Sequence, residues 1–139
     1  MTTRHILLVD DSSDDVEFAQ RLLRKFAPDA LQSVARDGVH ALDLLHAPEA
    51  QRLLPDVILL DLKMPRLDGT DVLKALRADH STRCIPVVMF SSSSELGDVQ
   101  RCYELGANSY LRKPVNFNEY EDTLRLIASY WLGLNHVPR

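Results

Sequence analysis

The feature that most constrains this chain is a pairing that recurs along its length. A short aliphatic run is followed by a few polar residues, then by a longer segment with apolar residues at helical spacing. The run "ILLV", Ile6 to Val9, is apolar at every position and too short for a helix. A strand buried on both faces reads this way, and such strands belong to parallel sheets. Ser12 and Asp15 then stand at capping-box spacing, Ala19, Leu22, Leu23 and Phe26 recur at helical spacing, and Pro28 closes the segment. Leu31 to Ala35 is a weaker strand, and Gly38 to Leu45 a second helix with Val39, Leu42 and Leu45 on one side.

The pairing continues with "DVILLDL", Asp56 to Leu62, the strongest strand in the chain. A loop marked by Met64-Pro65 and Asp68-Gly69 leads to a third helix carrying Val72, Leu73 and Leu76. Ile85 to Phe90 is a further buried strand, followed by the polar run Ser91 to Ser94. Val99, Cys102, Tyr103 and Leu105 predict a fourth helix stopped at Gly106. Ser109 to Leu111 is the last strand, ended by Lys113-Pro114, and Phe117 to Leu134 is a long final helix. Five β-α repeats predict an α/β fold: a doubly wound, five-stranded parallel sheet with helices on both faces.

Composition narrows the setting. The chain has 139 residues with no linker or change of composition, so 1–139 reads as one domain. A net charge of -4 without a long basic run argues against nucleic acid. No apolar stretch is long enough for a membrane span, and Met1 to His5 leads straight into Ile6 without a signal-peptide plan. Cys84 and Cys102 read as reduced thiols. A cytoplasmic protein is expected.

In doubly wound sheets ligands bind beyond the carboxyl ends of the strands. Asp10 and Asp11 end the first strand, Asp61 the third and Ser91 the fourth, and Lys113 lies just past the fifth. Each alone has an ordinary structural reading as a cap, a turn or a surface group. Together they predict three carboxylates, a hydroxyl and an ammonium around one pocket. Clustered carboxylates repel unless a cation joins them. Few hard oxygen ligands suit Mg2+, which retains water and shares a phosphate. Asp61, held at the end of a rigid strand, is the candidate nucleophile for phosphoryl transfer, and Lys113 and Ser91 are candidates to bind the phosphoryl oxygens. Asp14 and Asp15 read as favourable charges at a helix N-terminus, with no catalytic role.

The stretches "LLVDD", "VILLDLKMPRLDG", "VVMFSSS" and "SYLRKP" resemble, in order, the receiver domain of two-component response regulators, and the resemblance covers nearly the whole chain. It implies the flavodoxin-like receiver fold and Asp61 as phosphoacceptor. It also implies Mg2+ bound by the side chains of Asp11 and Asp61, by the Lys63 backbone carbonyl, and by Asp10 through water. Ser91 matches the switch hydroxyl, Tyr110 the switch aromatic and Lys113 the phosphate-binding lysine. A cis Lys113-Pro114 bond is implied as well. Lys63 and Ser92 to Ser94 stand where members of the family vary.

The final helix carries Phe117, Tyr120, Leu124, Ile127, Trp131 and Leu134 as one apolar stripe. Phe117 to Ile127 are expected to pack on the sheet. Leu126 and Tyr130 project from another side, and this surplus apolar surface predicts a partner. The ending "YWLGLNHVP" resembles the small response regulators that partner bacterial and cyanobacterial phytochromes, which often pair as dimers. The expected partners are therefore a sensor histidine kinase, in particular a bacteriophytochrome, and a second copy. The second copy would meet the fourth helix, last strand and final helix. Only "HVPR" follows the last helix, so no output domain is expected. Two rival classes demand features of their own. A Mg2+-dependent phosphatase acting on external substrates would need a general acid and a substrate cap. A flavin or nucleotide binder would need a Gly- or hydroxyl-rich phosphate loop where this chain has aspartates.

Overall fold

The protein is described by a computed structural model covering residues 3–47 and 53–138; Met1, Thr2, residues 48–52 and Arg139 lie outside the described residues. Strands β1 (His5–Val9), β2 (Leu31–Ala35), β3 (Val57–Leu60), β4 (Val87–Ser91) and β5 (Ser109–Arg112) alternate with helices α1 (Ser13–Phe26), α2 (Gly38–His46), α3 (Gly69–Ala78), α4 (Leu96–Glu104) and α5 (Phe117–Ser129). The strands form one parallel sheet in the order β2-β1-β3-β4-β5. The chain leaves β1 for the edge at β2, then crosses back over β1 to β3. The reversal puts a crevice at the carboxyl ends of β1 and β3.

The two-residue period of a strand divides the core. Leu7, Val9, Ile58, Leu60, Val87 and Met89 face one way and pack with Ala41, Leu45, Val72, Leu73, Leu76 and Cys102 from α2, α3 and α4. Ile6, Leu8, Val57, Leu59, Val88 and Phe90 face the other way and pack with Ala19, Leu22, Leu23, Leu124 and Ile127 from α1 and α5. The aliphatic runs are therefore continuous because both faces of the sheet are covered. In α2 the buried face is Ala41 and Leu45, while Val39, expected on that face, is exposed. In α4 only Cys102 is fully buried, so this helix is weakly held by core packing. The strand predicted from Ile85 begins at Val87: Pro86 has no N–H to donate, although its carbonyl accepts from the Ile58 N–H at 2.9 Å. Gly106, with φ 103°, turns the chain out of α4 in the left-handed region that favours glycine.

Three expectations at the end of the chain are corrected. No peptide bond among the described residues is cis, so Lys113-Pro114 is trans, the form that even X–Pro bonds favour. The final helix stops being α-helical at Ser129 and continues as a π-helical turn, Tyr130–Leu134, closed by the Asn135 N–H donating to the Tyr130 carbonyl at 2.7 Å. Arg4 donates to the Asn135 carbonyl at 2.9 Å, placing a cation at the helix end. Phe117 does not pack on the sheet. It is 54% exposed and stacks on Phe18 of α1, with ring centroids 5.2 Å apart.

Candidate functional site

The site is built by the ends of β1, β3 and β5 and the start of α1. The Asp61 N–H donates to the Val9 carbonyl at 2.9 Å, and the Asp10 N–H to the Ala35 carbonyl at 3.1 Å, so both acids follow strands that are still paired. Asp10 accepts from the Ser12 N–H at 2.9 Å, and Asp61 Oδ1 accepts from the Leu62 N–H at 2.9 Å. These bonds hold the carboxylates in place at little cost in side-chain entropy. Gly69 lets α3 start directly against this strand end: a Cβ there would collide with the Asp61 carbonyl oxygen and crowd the Leu62 Cα.

Asp10, Asp11 and Asp61 offer oxygens that all lie within 4.8 Å of one another. Asp11 is exposed, Asp10 partly buried and Asp61 buried at 9% exposure. The Lys113 Nζ lies 2.7 Å from Asp10 Oδ2, 2.9 Å from Asp15 Oδ2 and 3.7 Å from Asp61 Oδ2. Its backbone is tied to the neighbouring strand by the Lys113 N–H donating to the Ser91 carbonyl at 2.7 Å. Burial pushes the Asp61 carboxyl up to about 6; Lys113 pulls it down and the Asp10 charge pushes it further up. Burial works against the Lys113 ammonium, but hydrogen bonds to Asp10 and Asp15 and the charge of Asp61 hold it above the ordinary lysine range.

One cation among four carboxylates leaves the pocket short of positive charge. An all-oxygen donor set of this kind, open to solvent at Asp11, fits a hard divalent cation that keeps part of its water shell.

Ser91 is fully buried at the end of β4, and its hydroxyl accepts from the Ser93 N–H at 3.2 Å. Tyr110 is half-buried, with its hydroxyl donating to the Ser93 carbonyl at 2.8 Å. Ser91 and Tyr110 are thus linked through Ser93. The Lys63 side chain is exposed, its Nζ 3.9 Å from Asp98, which also accepts from the Ser93 hydroxyl at 2.6 Å.

Of the residues singled out in the sequence, the structure gathers Asp10, Asp11, Asp61 and Lys113 in one pocket. It sets Ser91 at the next strand end, Tyr110 one step further, and Lys63 at the rim. In the sequence Asp15 reads as a helix-start residue, by its spacing from Ser12 and by its charge. Its N–H does donate to Ser12 Oγ at 3.3 Å, as the cap spacing requires. Its carboxylate, however, goes to Lys113 rather than back to the cap. Lys113 lies 98 positions further along the chain. No local pattern marks that pairing.

Residues 6–125 match the response regulator receiver domain family. The chain is 35% identical over 135 residues to the response regulator Rcp1 of Synechocystis, covering 96% of this chain and 92% of Rcp1. It is 37% identical over 134 residues to FilR2 of Methanothrix harundinacea, named a "probable methanogenesis regulatory protein", covering 96% of this chain and 86% of FilR2. The crystal structure of the phosphorylated cyanobacterial phytochrome response regulator RcpA superposes with a TM-score of 0.91 at 31% identity, over 99% of this chain and all of that one. Rcp1 has been solved in a Mn(2+)-bound form, with a TM-score of 0.89 at 34% identity over 98% of this chain and 99% of that one. A parallel sheet in this strand order, an acidic trio beside a lysine at its switch point, and a family match over most of the length have one meaning: the chain belongs to the receiver-domain family of two-component response regulators.

Proposed function

We propose that this protein is a stand-alone response regulator in which Asp61 accepts a phosphoryl group from a sensor histidine kinase, with Mg2+ as the working cation. The observation that carries the reading is Asp61 itself. It is a buried carboxylate at the end of β3 that completes an acidic trio with Asp10 and Asp11 and has an ammonium 3.7 Å away. A rigid, partly desolvated carboxylate is a suitable nucleophile, and a positioned lysine suits the charge of the transferring group. Asp10, Asp11 and Asp61 would hold the cation, with the Lys63 backbone carbonyl as a further ligand. When bound, the cation would neutralise the acids and the incoming phosphate. Lys113 would bind one phosphoryl oxygen and Ser91 another.

Similarity to Rcp1 and RcpA, together with the "YWLGLNHVP" ending, supports a phytochrome-class kinase as the phosphodonor, acting in the cytoplasm. Rcp1 and FilR2 are themselves little longer than the matched region, which supports a chain that signals through its own surface. Among the described residues no helix is long and apolar enough to cross a membrane. The output is a change in protein contacts, including a homodimer through α4, β5, α5 and the tail.

The test is direct. Treated with a small phosphodonor and Mg2+, the protein should gain one phosphoryl group, located at Asp61 by mass. Chelating the cation should abolish it, and so should Asp61→Asn. Undiminished label in Asp61→Asn would overturn the assignment.

A further inference from the structure

An ammonium has three N–H donors and no more. In Lys113 two of them are committed, to Asp10 Oδ2 at 2.7 Å and Asp15 Oδ2 at 2.9 Å. Asp61 stands further off, at 3.7 Å. With two anchors, the third donor is constrained toward the Asp61 side, which is where a phosphoryl oxygen would arrive. With Asp10 alone, the ammonium can swing about a single bond and come to rest on Asp61. That contact would tie up the carboxylate meant to react. Asp15 is well placed to prevent it: it sits in the first turn of α1, with its backbone fixed by the Ser12 cap. The Lys113 side chain is only 11% exposed, so few competing positions are open to it.

We infer that Asp15 is a positioning residue for phosphoryl capture. With Asp10 it clamps the Lys113 ammonium so that its remaining donor faces the phosphoryl site and Asp61 stays free to react. This rests on the reading of Asp61 and Lys113 given above. Asp14 is the natural control. It is the adjacent carboxylate in the same first turn, exposed to solvent, and contributes the same charge to the helix N-terminus.

The experiment compares wild type, Asp15→Asn, Asp15→Glu and Asp14→Asn. One readout is the nitrogen-15 signal of the Lys113 Nζ in metal-free protein, which a clamped ammonium shows as a slowly exchanging resonance. The other is the affinity for beryllium fluoride with Mg2+, a phosphoryl mimic. Asp15→Asn should lose the slow Nζ signal and bind the mimic about fivefold more weakly, the scale of one partly exposed ion pair. Asp15→Glu should restore much of both, and Asp14→Asn should change neither. Equal effects from Asp14→Asn and Asp15→Asn, or an unchanged Nζ signal in Asp15→Asn, would overturn the clamp and leave Asp15 as a helix-end charge. A wild type that takes no mimic and no label at Asp61 would fail the underlying reading instead, so the two failures are distinguishable.

Discussion

At the scale of single residues the site is a balance of burial against charge, and Asp61 shows which side prevails. Burial raises its carboxyl to about 6 although Lys113 opposes the shift. A raised acid in the folded state contributes stability that is present below its unfolded value and lost as pH rises through the folded one. In metal-free protein at pH 7, ionised Asp61 therefore works against folding. Asp61→Asn removes that penalty without changing shape, so its melting temperature should lie a few degrees above wild type at pH 7. The gap should close as pH falls through about 6 toward 4. Mg2+ should raise the melting temperature of wild type and do much less for Asp61→Asn, because a ligand stabilises only the fold that binds it. Thermal scans at three pH values, with and without Mg2+, check both statements. A wild-type advantage at pH 7 without metal would contradict the first.

At the scale of elements, the contrast is between a rigid sheet and a lightly held α4. Only Cys102 anchors that helix in the core, while Leu96 is 70% exposed and Tyr103 50% exposed. The loop leading into it is held by polar bonds instead: Ser93 to Ser91, Tyr110 to Ser93, and Ser93 to Asp98. A phosphoryl group at Asp61 that recruits the Ser91 hydroxyl takes away the acceptor of the Ser93 N–H. Ser93 in turn carries the carbonyl that holds Tyr110. A few such bonds are enough to bias a two-state element whose hydrophobic anchoring is small. Ser91→Ala should still accept the phosphoryl mimic, but the backbone shifts of α4 and β5 on mimic binding should largely disappear. Amide spectra of both proteins with and without mimic test this. Full-sized shifts in Ser91→Ala would show that the signal reaches Tyr110 by another route.

At the scale of the whole molecule, exposed apolar side chains occur on α2 and α4 as well, but the final helix and its π-helical turn carry three along one stretch. Leu126 is 61% exposed, Tyr130 48% and Leu134 70%. Trp131 packs on the core and stacks edge-on with Tyr130, their centroids 4.8 Å apart, which stiffens the exposed ring. In a two-fold assembly such a patch meets its own copy, and rigid aromatic residues make good anchors. Light scattering over a dilution series should show a dimer, and Leu126→Glu should shift it toward monomer by placing a charge in an apolar contact. Wild-type protein that stays monomeric at high concentration, with and without phosphorylation, would exclude the self-association proposed above.

The sequence by itself determined the architecture, because burial is written in local periodicity. Runs such as Val57 to Leu60 have no polar position, so both faces had to be covered; three such runs and two weaker strands, alternating with helical segments, left little but a parallel doubly wound sheet. It also determined which residues come to the strand ends, since strand ends lie where aliphatic runs stop. The tertiary structure alone decided what those residues touch. Asp15 and Asp14 are both first-turn acids, and the Ser12 cap spacing distinguishes only the backbone of Asp15; only the tertiary arrangement that brings the residue after β5 to the start of α1 gives Asp15 its Lys113 partner and leaves Asp14 in solvent. Phe117 fits the helix stripe and yet is half outside the core, against Phe18. The last turn widens to a π-helix with Arg4, from the other end of the chain, bound at its end. Periodicity records which side of an element is apolar. It carries no record of which distant side chain will arrive within 3 Å, because strand order and helix docking set that distance.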